Sequence, residues 1–388
     1  MSLVDVARDV APQLREHADE GDRLRRMPDA AWKLLVESGL VRGMQPARWG
    51  GGEVPLAEFL DAVMEVGRAS PCAGWVLGVM GVHPWQLGLF PEETQQEMWA
   101  GDARRIPSSS YAPTGKAERV DGGYRVSGRW SFSSGCDHGH GVMLGVATGS
   151  RTVESAELPE LRSVLLMPGQ YAIDDNWHTA GMRATGSKDI VVDGAFVPDH
   201  RTQSHLDYQL GLPLPGQERN DGPLYRMPWS VMFNFVLAAS VLGAARGFVE
   251  LWTELTSTRF SGLGVPMREE PLVRERLAQV TWRLDAAELK LRRDSAQVYD
   301  LVAAGGRCSP EQIAFIRWNA NHGAEIVADA VMTLYRASSG RTAYIDHPLH
   351  RSFQDIQAML GHTYLWADPH GLAYAGSKLG VELKIAGV

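Results

Sequence analysis

The chain has 388 residues, 44% hydrophobic and 22% charged, with 38 basic against 46 acidic side chains and a formal net charge of −8. That length supports two or three domains around a sizeable core, and a weakly acidic balance spread along the chain excludes the basic footprint of a nucleic-acid binder. Cys72, Cys136 and Cys308 are odd in number, far apart and without a C-x-x-C pair, which argues against a disulfide framework and a zinc site and fits a reducing cytoplasm.

Residues 1–22 carry charges throughout and lack the apolar core of a signal peptide. No uncharged apolar stretch approaches the roughly 20 residues of a membrane-spanning helix, so no membrane partner is expected, and the cysteine pattern points to no metal. Apolar positions at helical spacing predict an amphipathic surface helix over 4–25. A second helix begins at Pro28 and stops at Gly39, and a glycine-rich loop over 45–52 carries Trp49. Residues 56–69 predict a third helix. Residues 73–89 are nearly uncharged and rich in Gly, Val and Trp, which predicts a buried helix. Pro91 opens another, with Glu92 and Glu93 where the helix dipole favours acids.

Near Ile106 the period changes. From Ser108 to about His200, short alternating strands and turns predict an antiparallel β-domain, with a hairpin at 121–128 and strands over 163–168 and 189–198. Residues 200–228 read as a polar, proline-rich connection. Long helices follow over 233–255, 270–304, 309–338 and 350–364, the pattern of an antiparallel bundle. The expected order is a helical domain (1–105), a central β-domain (106–215) and a C-terminal helical bundle (216–388). The twelve tryptophans suit pockets for flat aromatic ligands, although most of them belong to the core.

The stretch Asp121–Gly135, reading DGGYRVSGRWSFSSG, is similar to the one that leads into the flavin-contacting strand of the acyl-CoA dehydrogenase superfamily. Five further motifs occur in order: QPARWGG at 45–51, GVHPW at 81–85, SSSYAP at 108–113, SSGCDH at 133–138 and GMRATGS at 181–187. Together they resemble one branch, the oxygenase components of two-component flavin-dependent monooxygenases, which includes seco-steroid and 4-hydroxyphenylacetate hydroxylases. The resemblance implies the acyl-CoA dehydrogenase fold, mainly α with a β-domain. It also implies reduced FAD or FMN with O2 as co-substrate, a separate NAD(P)H:flavin reductase, and a homotetramer or dimer formed through the bundle. The absence of a Gly-x-Gly-x-x-Gly loop opening a helix agrees with a separate reductase. The implied reaction inserts one oxygen atom, through a C4a-hydroperoxyflavin, into an aromatic or polycyclic molecule such as a phenol or an indole. An N-oxygenase of an amine is the alternative within that chemistry.

Two departures bear on the activity. The superfamily's dehydrogenases carry a catalytic carboxylate in a C-terminal Tyr-Glu-Gly segment, and here the similar segment is Tyr374-Ala375-Gly376. Alanine cannot act as the base, which disfavours a dehydrogenase or oxidase. The branch's phenol hydroxylases carry a C-terminal histidine where an ungapped match places Ser377; either His362 or His370 stands in from elsewhere, or the substrate does not need that group and is not a phenol.

The resemblance assigns candidate roles. His83 matches a substrate-contacting histidine, against the bland reading of a buried histidine bonded to a carbonyl. Ser109 matches the serine near flavin N5, with Ser108 or Ser110 one register step away, and Ser377 completes the catalytic set. Ser110, Tyr111, Ser133 and Ser134 are cofactor candidates as small or polar groups on the flavin-contacting strands. Trp85, Trp130 and Trp177 are candidate pocket walls, and Asp137 with His138 either relays protons or is a solvated turn. Arg226 and Arg259 are candidate guanidinium contacts to the flavin, Arg259 across a subunit interface.

Overall fold

The computed structural model describes residues 1–153 and 155–381. Its N-terminal part holds α1 (Leu3–Glu16), α2 (Ala18–Leu24), α3 (Asp29–Glu37), α4 (Leu56–Ala69), α5 (Pro71–Gly81), α6 (His83–Leu87) and α7 (Glu92–Trp99). The helix expected over 4–25 is therefore two, broken at His17 and closed by Arg25 in a left-handed conformation, φ +54°. The buried helix expected over 73–89 is also two. Pro84 has no N–H to return to the preceding turn, so α5 stops and α6 restarts around it.

The sheet comprises β1 (Ser108–Val120), β2 (Gly123–Ser133), β3 (Val142–Val153), β4 (Ala156–Leu166), β5 (Ala172–Asp174), β6 (Lys188–Pro198) and β7 (Thr202–Ser204), in the order β5-β6-β2-β1-β3-β4-β7. The antiparallel expectation fails at its centre, where β1 pairs with β3 in parallel, Ser108 opposite Val142. The β2 hairpin occupies one side of β1. The turn at 135–138 then carries the chain back across the sheet end, so β3 starts beside the beginning of β1.

Both central strands are irregular. The β1–β3 register shifts between Ser110 and Gly115, and the β2–β6 register shifts between Trp130 and Ser133. Bulges of this kind re-aim side chains beside functional sites. Here the second leaves Phe132 in a left-handed conformation with its ring exposed.

The connection over 200–228 folds into β7, α8 (His205–Leu210) and short 3-10 turns, and buries Leu206, Leu214, Leu224 and Tyr225. The bundle follows as α9 (Trp229–Thr258), α10 (Pro271–Ala303), α11 (Pro310–Arg336) and α12 (Pro348–Met359), with a further helix, α13 (Asp368–Lys378), that the sequence pattern did not suggest. Contrary to the expectation for apolar stretches, α9 is long and apolar enough to cross a membrane by length and composition. Its most apolar window is 89% buried inside the protein, which makes it the central core helix. Close approach explains its small residues: a Cβ on Gly243 would lie 2.5 Å from the Met64 carbonyl of α4. The first and third parts of the chain thus share one apolar core running from Leu14 through Phe59 and Phe235 to Ile356. The sheet has its own core around Trp130, Leu144, Val164 and Ile190.

Candidate active site

Where β1 and β2 meet the helical core, the chain builds two adjoining surfaces of different character. The first is aromatic. His83 opens α6, is 1% exposed, and lies 6.2 Å from the Tyr111 ring and 6.1 Å from Phe233. Tyr111 meets Phe233 and Trp229 edge-on at 5.3 Å each, and Trp229 stacks on Phe233 at 4.2 Å. His205 of α8 and Tyr364 close the set against Trp229 at 4.9 and 5.8 Å. Behind these rings runs a polar chain: Tyr111 donates to Gln86 Oε1, Gln86 Nε2 to Ser163 Oγ (3.2 Å), and Ser163 Oγ lies 2.8 Å from His205 Nε2.

His83 has a fixed proton. Its Nδ1 is 2.7 Å from the Pro107 carbonyl, which can only accept, so Nδ1 carries the hydrogen and Nε2 is a bare lone pair. Burial pushes the imidazole down to about 4, which keeps it neutral. Nε2 is buried and has no hydrogen-bond partner in the protein. Ser109 is half-buried beside Tyr111; burial pushes that phenol up, and the Ser109 hydroxyl opposes the shift.

The second surface is lined by hydroxyls. Trp75 Nε1 donates to Ser134 Oγ (3.2 Å), Ser134 Oγ is 2.7 Å from Ser187 Oγ, and Ser187 Oγ is 2.6 Å from Thr185 Oγ1, which donates to the Met182 carbonyl (2.8 Å). Because Thr185's proton goes to that carbonyl, the chain has one direction: Ser187 donates to Thr185 and Ser134 to Ser187. Ser134 is left with a free lone pair. The loop is held from the bundle, where Asp355 of α12 accepts the Met182 N–H at 2.6 Å. Burial pushes the Asp355 carboxyl up to about 7.

Phe132, 69% exposed at φ +68°, stands edge-on to Trp177 at 6.1 Å beside this surface. A non-glycine residue in that region costs of order 1–3 kcal/mol and persists where surrounding structure enforces it. His362 faces Trp75 at 5.8 Å. Its Nδ1 accepts the Tyr364 N–H (3.2 Å), so its proton sits on Nε2, and burial pushes it down to about 4. Asn234 and Asn321 grip the Tyr364 carbonyl at 2.8 and 3.0 Å and so fix that turn.

Of the residues singled out from sequence, His83, Ser109 and Tyr111 gather on the aromatic surface, and Ser134 and Trp177 on the other. Ser110 and Ser133 lie between them with their hydroxyls committed to the Ser131 carbonyl (2.7 Å) and Ser108 Oγ (3.1 Å). The expectation of Trp130 as a pocket wall is corrected: it is wholly enclosed in the sheet core, its N–H on the Gly145 carbonyl at 2.8 Å. Trp85 is likewise enclosed, behind Phe233, with its N–H on the Leu224 carbonyl at 2.8 Å. Ser377 is not brought to either surface, because α13 packs on α11 and its hydroxyl donates to Glu311 (2.9 Å). Of the two histidines left open as its substitute, His362 is the one beside Trp75, while His370 is buried on α13. Arg226 is exposed and donates to the Asp221 carbonyl, and Arg259 donates to the Ala337 carbonyl at the far end of α9; within one chain neither reaches the junction. Lys188 pairs with Asp137 at 2.8 Å and His138 bonds the Met27 carbonyl at 2.8 Å, so that pair joins parts of the chain together. Sequence reasoning missed Phe132, Trp75, Phe233, Trp229 and His205. No spacing rule marks them, since they come from four separate elements.

Comparison with known proteins places this geometry. Residues 2–104 match the family model for the acyl-CoA dehydrogenase N-terminal domain and residues 235–366 that for its C-terminal domain. The chain is 35% identical over 361 residues to the flavin-dependent monooxygenase oxygenase subunit HsaA of Rhodococcus jostii (strain RHA1), covering 92% of each chain. It is 31% identical to the FADH(2)-dependent resorcinol hydroxylase oxygenase component of a Rhizobium species, covering 98% and 95%. The crystal structure of 3-HSA hydroxylase from Rhodococcus sp. RHA1 superposes with a TM-score of 0.93 at 32% identity, covering 99% of this chain and 98% of that one. By these matches, with the acyl-CoA dehydrogenase fold and the paired surfaces described above, the chain belongs to the oxygenase components of the two-component flavin-dependent monooxygenases.

Proposed function

We propose that this chain hydroxylates a phenol-like aromatic substrate, with reduced flavin lying against the Phe132–Ser134–Trp75–His362 surface and the substrate among His83, Tyr111, Phe233 and Trp229. The observation that carries the reading is His83: a buried, neutral imidazole whose one free atom is a proton acceptor set in an aromatic wall.

The residues of the second surface fit a flavin. Phe132 offers an exposed aromatic face, and Ser134 keeps a lone pair suited to the N5–H of the reduced ring. When bound, reduced flavin supplies the activation of O2, which no side chain provides. His83 Nε2 accepts a hydrogen bond from the substrate hydroxyl and so raises electron density on the ring to be oxygenated. Ser134 would accept the N5–H of a bound flavin, and His362 Nε2–H would be available as a donor from beside the same Trp75. Tyr111, Phe233 and Trp229 exclude water and orient a flat substrate. Ser109, beside Tyr111, belongs with substrate orientation in this arrangement rather than with the flavin.

An indole N–H meets the same acceptor, so indoles fall within the proposed range. The proposed assembly is a homotetramer through the bundle, supported by the exposed Leu272, Trp282 and Leu289 on α10. Arg259 and Phe260 would then serve a neighbour's flavin. A cytoplasmic location and a reductase partner complete the proposal.

The test supplies the purified chain with NADH, a flavin reductase, FMN or FAD, 18O2 and a panel of phenols. The expected product carries one labelled oxygen and requires the reductase. Product formed without the reductase, or without label, overturns the reading.

A further inference from the structure

The aromatic surface holds a second set of free polar atoms besides His83 Nε2. Trp229 is 6% exposed, and its indole N–H is buried with no partner in the protein. Gln203, 4% exposed on β7, accepts the Tyr208 hydroxyl on Oε1 while its amide nitrogen is equally buried and unpartnered. Tyr208, which donates to Gln203, lies 5.9 Å from the Trp229 ring, so both unpartnered donors belong to the same side-chain cluster. An indole N–H can only donate, as can the amide NH2, and buried donors are almost always paired in native proteins.

His83 is reversed in sense. His83 Nε2 can only accept, because the Pro107 carbonyl holds the ring's proton on Nδ1. His83 and Trp229 flank the same two rings, Tyr111 and Phe233, which places acceptor and donor within the reach of one small aromatic molecule.

We infer that Trp229, seconded by Gln203, is a specificity-determining residue that selects hydroxyarenes bearing a second oxygen acceptor, such as a carbonyl or carboxylate, away from the hydroxyl bound by His83. The inference rests on the reading of this chamber as the substrate site. The hydroxyl donates to His83 and the second oxygen accepts from Trp229. A phenol with an alkyl group in place of that oxygen leaves the indole N–H buried and unpaired, the situation in which sites built for hydrogen bonds discriminate most.

The test uses the full chain with reduced flavin under anaerobic conditions and measures the dissociation constants of 4-isopropylphenol, 4-hydroxyacetophenone and their 3-substituted isomers. These pairs match in size and differ in the carbonyl oxygen. Wild type should bind the better-placed ketone several-fold more tightly than its alkyl partner, up to about tenfold for one neutral hydrogen bond. Trp229→Phe should erase that preference by weakening the ketone alone, and Gln203→Leu should reduce it, while His83→Ala should weaken all four phenols. Equal binding of ketone and alkyl phenols by wild type overturns the inference without needing any variant to fold. So does a Trp229→Phe protein that keeps the preference or weakens both classes alike. If His83→Ala changes nothing, or wild type binds none of the phenols, the reading of the chamber itself falls.

Discussion

The two surfaces at the junction use the same residue type in opposite senses. On the aromatic side, His83 gives its Nδ1 proton to a carbonyl and presents a bare Nε2. On the hydroxyl side, His362 accepts a backbone N–H on Nδ1 and presents Nε2–H. Burial drives both imidazoles down to about 4, so both are neutral and each has one defined polarity. The difference teaches that the backbone partner of the first nitrogen decides what the second can do. Around His83 the neighbours are rings, which fix shape and dryness. Around Ser134 they are hydroxyls and an indole N–H, which fix proton positions, and His362 adjoins that set through the Trp75 ring.

The largest expected effect tests the neutrality on which the comparison rests. His83, His205, His362 and His370 are each pushed from 6.5 down to about 4 by burial. A depressed histidine contributes stability that is full above its unfolded value and lost as pH falls toward the folded one. Asp355 runs the other way, from 3.8 up to about 7, and so gains stability as pH falls through the same window. Four groups outweigh one, and the melting temperature should fall by about 10 °C or more between pH 6.5 and 4. A flat melting profile across that window would show that these histidines are hydrated.

The next effect separates the surfaces. His83→Ala should lower the hydroxylation rate of phenols by about 100-fold, within the range of a positioned proton acceptor, while reduced-flavin affinity and circular dichroism stay as in wild type. His362→Ala should instead release more hydrogen peroxide per NADH consumed. If both variants gave the same phenotype, the division of labour would collapse.

Asp355→Asn sharpens the account of how the hydroxyl side is held. The amide can still accept the Met182 N–H, but it carries no charge to be buried. The variant should therefore melt higher than wild type at pH 8, where the carboxyl is ionised, and should lose that advantage at pH 5, where it is protonated. A constant offset at both pH values would mean that Asp355 is not the titrating group.

The smallest effects come from single hydroxyls. Ser134→Ala should raise peroxide release, and Ser109→Ala should raise KM for the phenol, each by up to about tenfold because one neutral hydrogen bond contributes about 0.5–1.5 kcal/mol. Ser377→Ala should leave both quantities within error, since its hydroxyl bonds Glu311 on the far side of α11. A change in coupling on Ser377→Ala would bring α13 back to the chemistry.

Much of the site was legible in the sequence because the motifs containing His83, Ser109, Tyr111 and Ser134 are contiguous. The sequence left His362 and His370 both open as the C-terminal histidine, because an ungapped match follows chain position and arrives at Ser377. The structure follows contacts and presents His362 through a turn gripped by Asn234 and Asn321. Trp130 misled for a related reason. A tryptophan beside a flavin-strand motif reads as a wall, but strand alternation and a tight seat over Gly115 send its ring into the sheet core.

The sequence by itself determined the alternation of helical and strand periods and the ordered motifs that identify the family, since periodicity and contiguous motifs are local properties. The tertiary structure alone decided which nitrogen of each histidine carries its proton, how the irregularity at Phe132 re-aims that ring, and that the connection carrying His205 and Tyr208 packs against the aromatic surface. Each of these depends on a partner distant in the chain: the Pro107 carbonyl 24 residues from His83, a neighbouring strand, or the first turn of α9. Residue spacing along one segment carries no information about such partners.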